Sequence, residues 1–391
     1  MRRHFTLTLI GVYLLCRLFS GVVIAVVAGH QTPVTWTGPH PDYFSMTVLW
    51  DGSWYREIAE HGYPATVPVD PSNGHVQQNA WAFYPAFPML TRALMSVTGL
   101  GFPVVGSTLA LLCGVGAAAL MGLLLRDRVG PRAALGAVAV FGAFLSAPSL
   151  QLAYTESLAL LLLVGYLLAI GRERWLTATA LALAIGLTRP IAAPLAIVTV
   201  VAVWLRWRRR GREPISWREG LSALSALAGC GVAGLMWPAI AWYVTGDRTA
   251  YTDTMGAWRS GGHVVFVRPW LDMARYLFGD TFGPVGLAVL AVGLLVMLLG
   301  PWAAGLGPEL RVWPLAYAAY LVVVLDPWTS IFRYLLPLFP LAVVAIGGGW
   351  RDRVARWLPW RTGILVLLGL AGQVWWVWEL LRFVPPSDYP P

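Results

Sequence analysis

The chain has 391 residues, of which 58% are hydrophobic and only 12% charged, with a formal net charge of +9. Soluble domains carry about 25% charged residues, so this composition excludes a cytosolic enzyme, a disordered chain and a disulfide scaffold. It points to an all-α polytopic membrane protein. All 28 basic side chains are arginine and lie mostly between apolar segments, which argues against a nucleic-acid partner. Cys16, Cys113 and Cys230 fall inside apolar stretches, an arrangement that disfavours a structural zinc site.

In chain order, hydropathy predicts about eleven spans, at 5–29, 102–125, 133–148, 153–170, 175–188, 191–206, 219–244, 282–300, 312–325, 333–349 and 362–381. The first is longer than the apolar core of a signal peptide and contains Arg17, so it reads as an uncleaved transmembrane helix. With the N-terminus in the cytoplasm, 18 arginines lie inside and nine outside, which satisfies the positive-inside rule. The odd number of spans then puts the C-terminus outside. The expected location is a cell membrane, crossed many times. The chain reads as a single transmembrane domain, 1–391.

Two long stretches are not spans, and both fall on the exterior: 30–101 and 245–281. Acidic residues gather on the same side, among them Asp42, Asp51, Glu57, Glu60 and Glu156. The first loop predicts two amphipathic helices. One carries Trp54, Tyr55, Ile58 and Ala59 at helical spacing; the other carries Phe87, Leu90, Leu94 and Val97. Such helices either lie in the membrane interface or cap the bundle, and the first is the preferred reading. The segment from Pro385 to Pro391 reads as an extended tail.

Asp51 is the sharpest chemical candidate. Between Trp50 and Trp54 its carboxylate is expected to be partly desolvated, the environment a general base uses; the competing reading is an N-cap for the helix at 52–61. Glu156 stands at the exterior boundary of the fourth span, as a functional carboxylate or as the partner of an arginine such as Arg189. Arg189, in a short exterior turn, and Arg333, at the start of the tenth span, could each hold a phosphate through paired N–H donors or simply snorkel. Arg17 should face the bundle and find a structural partner. His61 and His75 lack the companions a metal would need. Trp36, Trp50, Trp54, Trp81, Trp375, Trp376 and Trp378 read mainly as an interfacial belt. The run Arg206–Arg212 reads as an anchor beside anionic lipid.

The first loop also carries motifs. Trp50-Asp51 followed by Ile58-Ala59-Glu60-His61-Gly62-Tyr63 resembles the signature of the PIG-V-type, GPI mannosyltransferase II-like family. Ala82-Phe83-Tyr84-Pro85-Ala86-Phe87-Pro88 is similar to that family's second loop motif, with Gln78 nearest to the place where a glutamate usually precedes it. Tyr154-Thr155-Glu156-Ser157-Leu158 and Arg333-Tyr334 with Pro337 and Phe339-Pro340 are similar to its later motifs. The resemblance implies a GT-C bundle and a polyprenyl-phosphate mannose donor. It implies inverting, metal-independent transfer to a lipid or glycan acceptor, with no cofactor. It assigns the base to Asp51. Together with the residue reading, the expected site has Arg333 and Arg189 on the donor phosphate and Trp50, Glu60, His61, Gln78, Tyr84, Glu156 and Tyr334 in supporting roles. Two other classes compete: a transporter or lipid flippase for envelope precursors, which would place charges at mid-bilayer on broken helices, and a silent scaffold.

Overall fold

The computed structural model describes residues 2–259, 262, 265–350, 356–386 and 390–391. Arg351, Arg353 and tail residues 387–389 lie outside that set. Helix α1 (Arg2–Ala28) is followed by the long loop, with α2 (Tyr43–Met46), α3 (Asp51–His61), a 3-10 turn at Ala80–Ala82 and α4 (Ala86–Thr98). The bundle continues with α5 (Phe102–Val129), α6 (Pro131–Ala143), a 3-10 turn at Ala147–Gln151, α7 (Glu156–Gly171), α8 (Trp175–Gly186) and α9 (Ala192–Arg208). Then come α10 (Trp217–Thr245), α11 (Ala250–Ala257), α12 (Arg268–Leu299), a 3-10 turn at Pro301–Leu306, α13 (Gly307–Val324), α14 (Ile331–Tyr334), α15 (Pro340–Ala345) and α16 (Leu358–Trp376). Among the described residues the only extended pairing is a single antiparallel bridge, Val69 to Val76.

Among the described residues, five helices are long and apolar enough to cross a bilayer: α1 (counted from His4), α5, α10, α12 and α16 with the π-helical turn that follows it. The others work by packing. One hydrophobic core runs through α1, α5 to α10, α13 and α15. Small residues let α8 and α10 pack closely against one another. Ala178, Ala182 and Gly186 on α8 face Ala226, Cys230 and Ala233 on α10; a Cβ at Gly186 would come within 2.6 Å of the Ala233 Cα. In lipid, where burial of apolar surface gives little drive between helices, this close van der Waals fit replaces it.

Three expected boundaries are corrected. The eighth helix begins at Arg268 rather than near 282, with a non-helical Gly279 inside it, and α11 occupies part of the supposed loop 245–281. Hydropathy misses the first half of α12 because Arg268, Asp272, Arg275 and Asp280 are polar. The tenth span, 333–349, is not one helix: Pro337 and Pro340 break it into α14, a 3-10 turn and α15. In the first loop, α3 buries Gly52, Tyr55, Ile58 and Ala59. On α4, Phe87 and Thr91 turn inward while Leu90, Leu94 and Val97 point out, so the four apolar residues expected on one face divide between two surroundings.

Candidate active site

Four charged side chains from four elements meet at one end of the bundle. Asp51 is the first residue of α3; Glu156 is the first of α7; Arg189 lies in the turn between α8 and α9; Arg333 lies on α14. Arg333 Nη1 donates to Asp51 Oδ2 at 2.9 Å and to Glu156 Oε1 at 2.8 Å. Arg189 Nη2 donates to the same Glu156 oxygen at 2.5 Å. Two anions and two cations thus balance inside a largely closed site: Arg333 and Glu156 are 2% and 3% exposed, whereas the Asp51 side chain keeps 25%. Glu156 Oε2 is buried without a hydrogen-bond partner among the described residues.

Asp51 does not act as an N-cap. The residue before α3 is Trp50, and no side-chain cap bond forms. Trp50 has φ 58° and ψ −121°, a conformation few side chains adopt. It is fixed by an indole hydrogen bond to the Leu381 carbonyl at 3.0 Å and by ring contacts with Trp36 and Phe383. The strained residue thus sets the start of α3, and with it the direction of the Asp51 carboxylate.

Aromatic rings surround the cations. Arg333 lies 5.1 Å from the Tyr154 ring centre, and Tyr334 lies beside both arginines, 5.2 Å from Arg189 and 5.9 Å from Arg333. Burial pulls the Arg189 guanidinium towards neutrality, but the Glu156 carboxylate more than offsets it, so the group is held above its ordinary value and stays charged. Burial drives the Tyr55 hydroxyl far above its usual range, with Glu156 and Asp51 adding to the rise, so Tyr55 is a neutral neighbour. Between Glu156, Arg189, Tyr317 and Arg333 there is a cavity of about 10 Å³, room for about one water. Arg333 Nη2 and Arg189 Nε and Nη1 have no hydrogen-bond partner among the described residues.

The other sequence candidates lie elsewhere. Glu60 pairs with Arg56 at 2.8 Å and His61 with Glu57 at 3.2 Å, both at the far, exposed end of α3. Gln78 is exposed. Tyr84 is buried, but its hydroxyl meets Tyr251 at 3.1 Å in a separate aromatic cluster with Trp81 and Trp237. Arg17 is buried in α1 and donates to the Ala147 and Gly142 carbonyls. Among the described residues, no three of His, Cys, Asp and Glu converge as a metal would require.

Two features escaped sequence reasoning. Tyr317 lines the cavity; its signal was the stripe Trp313, Tyr317 and Tyr320 along one face of α13. The second is the tail. Pro391 accepts a hydrogen bond from Arg333 Nε, and Pro390 accepts from Thr329 at 2.6 Å and Ser330 at 3.3 Å. Nothing in a proline-rich segment announces that contact.

No protein-family model matches the chain, and no curated protein sequence matches it. Among solved structures, an oligosaccharyltransferase from Archaeoglobus fulgidus, in complex with zinc and sulfate, is similar with a TM-score of 0.45 and 14% identity. The match covers 96% of this chain and 54% of that one, so the chain spans about half the length of the structure it resembles.

Proposed function

We propose that the protein is an integral-membrane glycosyltransferase of GT-C type. In this reading it transfers mannose from a polyprenyl-phosphate mannose to a lipid- or glycan-linked acceptor at the exterior face of a cell membrane. One observation carries the reading: two largely buried guanidinium groups with spare N–H donors converge on Glu156, and one of them, Arg333, also pairs with Asp51 of the first-loop motif. Arg189 and Arg333 suit a phosphate ester, whose charge grows as the sugar–oxygen bond breaks. Asp51, partly exposed, is the group an acceptor hydroxyl can reach.

The proposed step balances simply. The acceptor oxygen forms a bond to the anomeric carbon and gives its proton to Asp51. The bond from that carbon to the phosphate oxygen breaks, and polyprenyl phosphate leaves, its charge taken up by the arginines. A single direct displacement inverts the configuration. The positive charge comes from arginine, and both carboxylates are already paired with guanidinium groups, so turnover is expected to survive chelation. The transporter reading is weaker because Arg17, the charge buried within a span, donates to bundle carbonyls at Gly142 and Ala147.

The test supplies purified protein in parallel with polyprenyl-phosphate mannose and GDP-mannose, with EDTA present. The expected result is turnover of the lipid-linked sugar alone, with inversion. Turnover of only the nucleotide sugar, or loss of activity on chelation that magnesium restores, would overturn the assignment. Sidedness is a separate expectation, motivated by the 18-to-9 arginine division. A cysteine replacing Asn73 should react with an impermeant label added outside, and one replacing Gly211 should not; the reverse would put the site on the cytoplasmic face.

A further inference from the structure

A second cavity lies at the other end of the same helices. From Glu156 to Gly171 along α7 the rise is about 22 Å, so this end is well separated from the Asp51 cluster. The cavity measures about 430 Å³ and sits between the last turns of α5, α7 and α9 and the first turn of α13. Arg128, Arg208, Arg209, Glu173 and Glu309 supply its charge. We propose that it holds the phosphate headgroup of an anionic membrane lipid. This inference does not depend on the reaction proposed above.

The charges inside do not cancel. Glu309 is paired with Arg128 at 3.0 Å; Glu173 is paired with Arg206 at 3.2 Å and with Arg209. Arg208 has no carboxylate partner among the described residues, and its guanidinium lies 4.9 Å from the Trp204 ring centre. Arg128 commits Nη2 to Glu309, while its Nε and Nη1 have no hydrogen-bond partner among the described residues. Space for that guanidinium is built into two helices. A Cβ at Gly171 would lie 3.0 Å from Nη2, and one at Gly307, where φ is +77°, would collide with Nη1. An arginine with free donors beside an unpaired second one is suited to a phosphate diester oxyanion.

The same chemistry would accept free phosphate. The surface leading to the cavity favours a lipid. Ile197, Val200 and Trp204 form an exposed apolar stripe along α9 that ends at Arg208, a track for an acyl chain below a bound headgroup. Basic pockets between helices at the arginine-rich end of a bundle meet the leaflet where anionic headgroups lie.

The experiment uses the full chain in nanodiscs of phosphatidylcholine, with or without phosphatidylglycerol. Lipid retention is read by native mass spectrometry, and stability by the unfolding temperature. Phosphatidylglycerol should be retained and should raise the unfolding temperature. Arg208→Ala, an exposed position, should weaken that binding about fivefold, the factor expected for one arginine at a lipid surface. Arg212→Ala, which removes the same charge outside the cavity, should leave it unchanged. Inorganic phosphate added to phosphatidylcholine nanodiscs should not reproduce the stabilisation. Equal losses from Arg208→Ala and Arg212→Ala would reduce the effect to general surface attraction and overturn the site. Stabilisation by inorganic phosphate equal to that by phosphatidylglycerol would overturn the lipid assignment, and absence of any phosphatidylglycerol effect would overturn both.

Discussion

Asp51 and Arg333 are 282 residues apart, yet they share a 2.9 Å ion pair. That pair makes the proposed role of Asp51 as a base separable from its structural one. Asp51→Asn keeps the size of the side chain and an oxygen that can still accept from Arg333, but it removes the basicity a proton acceptor needs. Under the proposed reaction it should fold and lose turnover by about 100-fold or more, the scale of general-base contributions. Near-normal turnover of the lipid-linked sugar would leave Asp51 a structural partner of Arg333 only. At this scale the sequence was informative about identity and silent about geometry. Glu156, Arg189 and Arg333 each stood out as a charge flanking an apolar run and Asp51 as a carboxylate between two tryptophans, and the structure has all four in one cluster. Glu60, His61 and Gln78 came forward through motif likeness and not through any physical demand at their positions, and they lie outside the cluster. The difference is burial: a charge at an apolar boundary must find a partner, whereas one on an exposed helix end need not.

At the scale of elements, apolar length identified α1, α5, α10 and α16, because a span must cover the hydrocarbon thickness. It failed where helix and apolarity part company, at the polar first half of α12 and at the prolines that divide 333–349. The packing of α8 on α10 offers a test. Gly186 has no room for any side chain, since even a Cβ would meet the Ala233 backbone. Gly186→Leu should force the two helices apart and cost about 3 kcal/mol or more, at the upper end of overpacking penalties because backbone must move. The measurement is the unfolding temperature of the detergent-solubilised protein, with Gly231→Leu, where the added atoms meet open space, as the comparison. Equal behaviour of the two variants would mean that the contact is loose.

Across the whole molecule, the two ends of the described chain are tied together. Ser20 on α1 bonds Gln373 on α16 at 2.6 Å, and Gln31 exchanges hydrogen bonds of 2.7 and 2.9 Å with Phe383. From this anchor the last described residues reach Thr329, Ser330 and Arg333. The segment is therefore a tethered competitor for the guanidinium that the proposed donor would use. Its local concentration is fixed by the tether and does not fall on dilution. Under the proposed reaction, a donor phosphate that reaches Arg333 through Nε would have to displace it, and the apparent affinity would fall by the fraction of molecules whose site is already taken. Removing residues 385–391 should lower the donor KM by up to about tenfold, the value of roughly one hydrogen bond to a charged group, with kcat unchanged. An unchanged KM would mean that the tail leaves the site faster and more cheaply than its contacts imply.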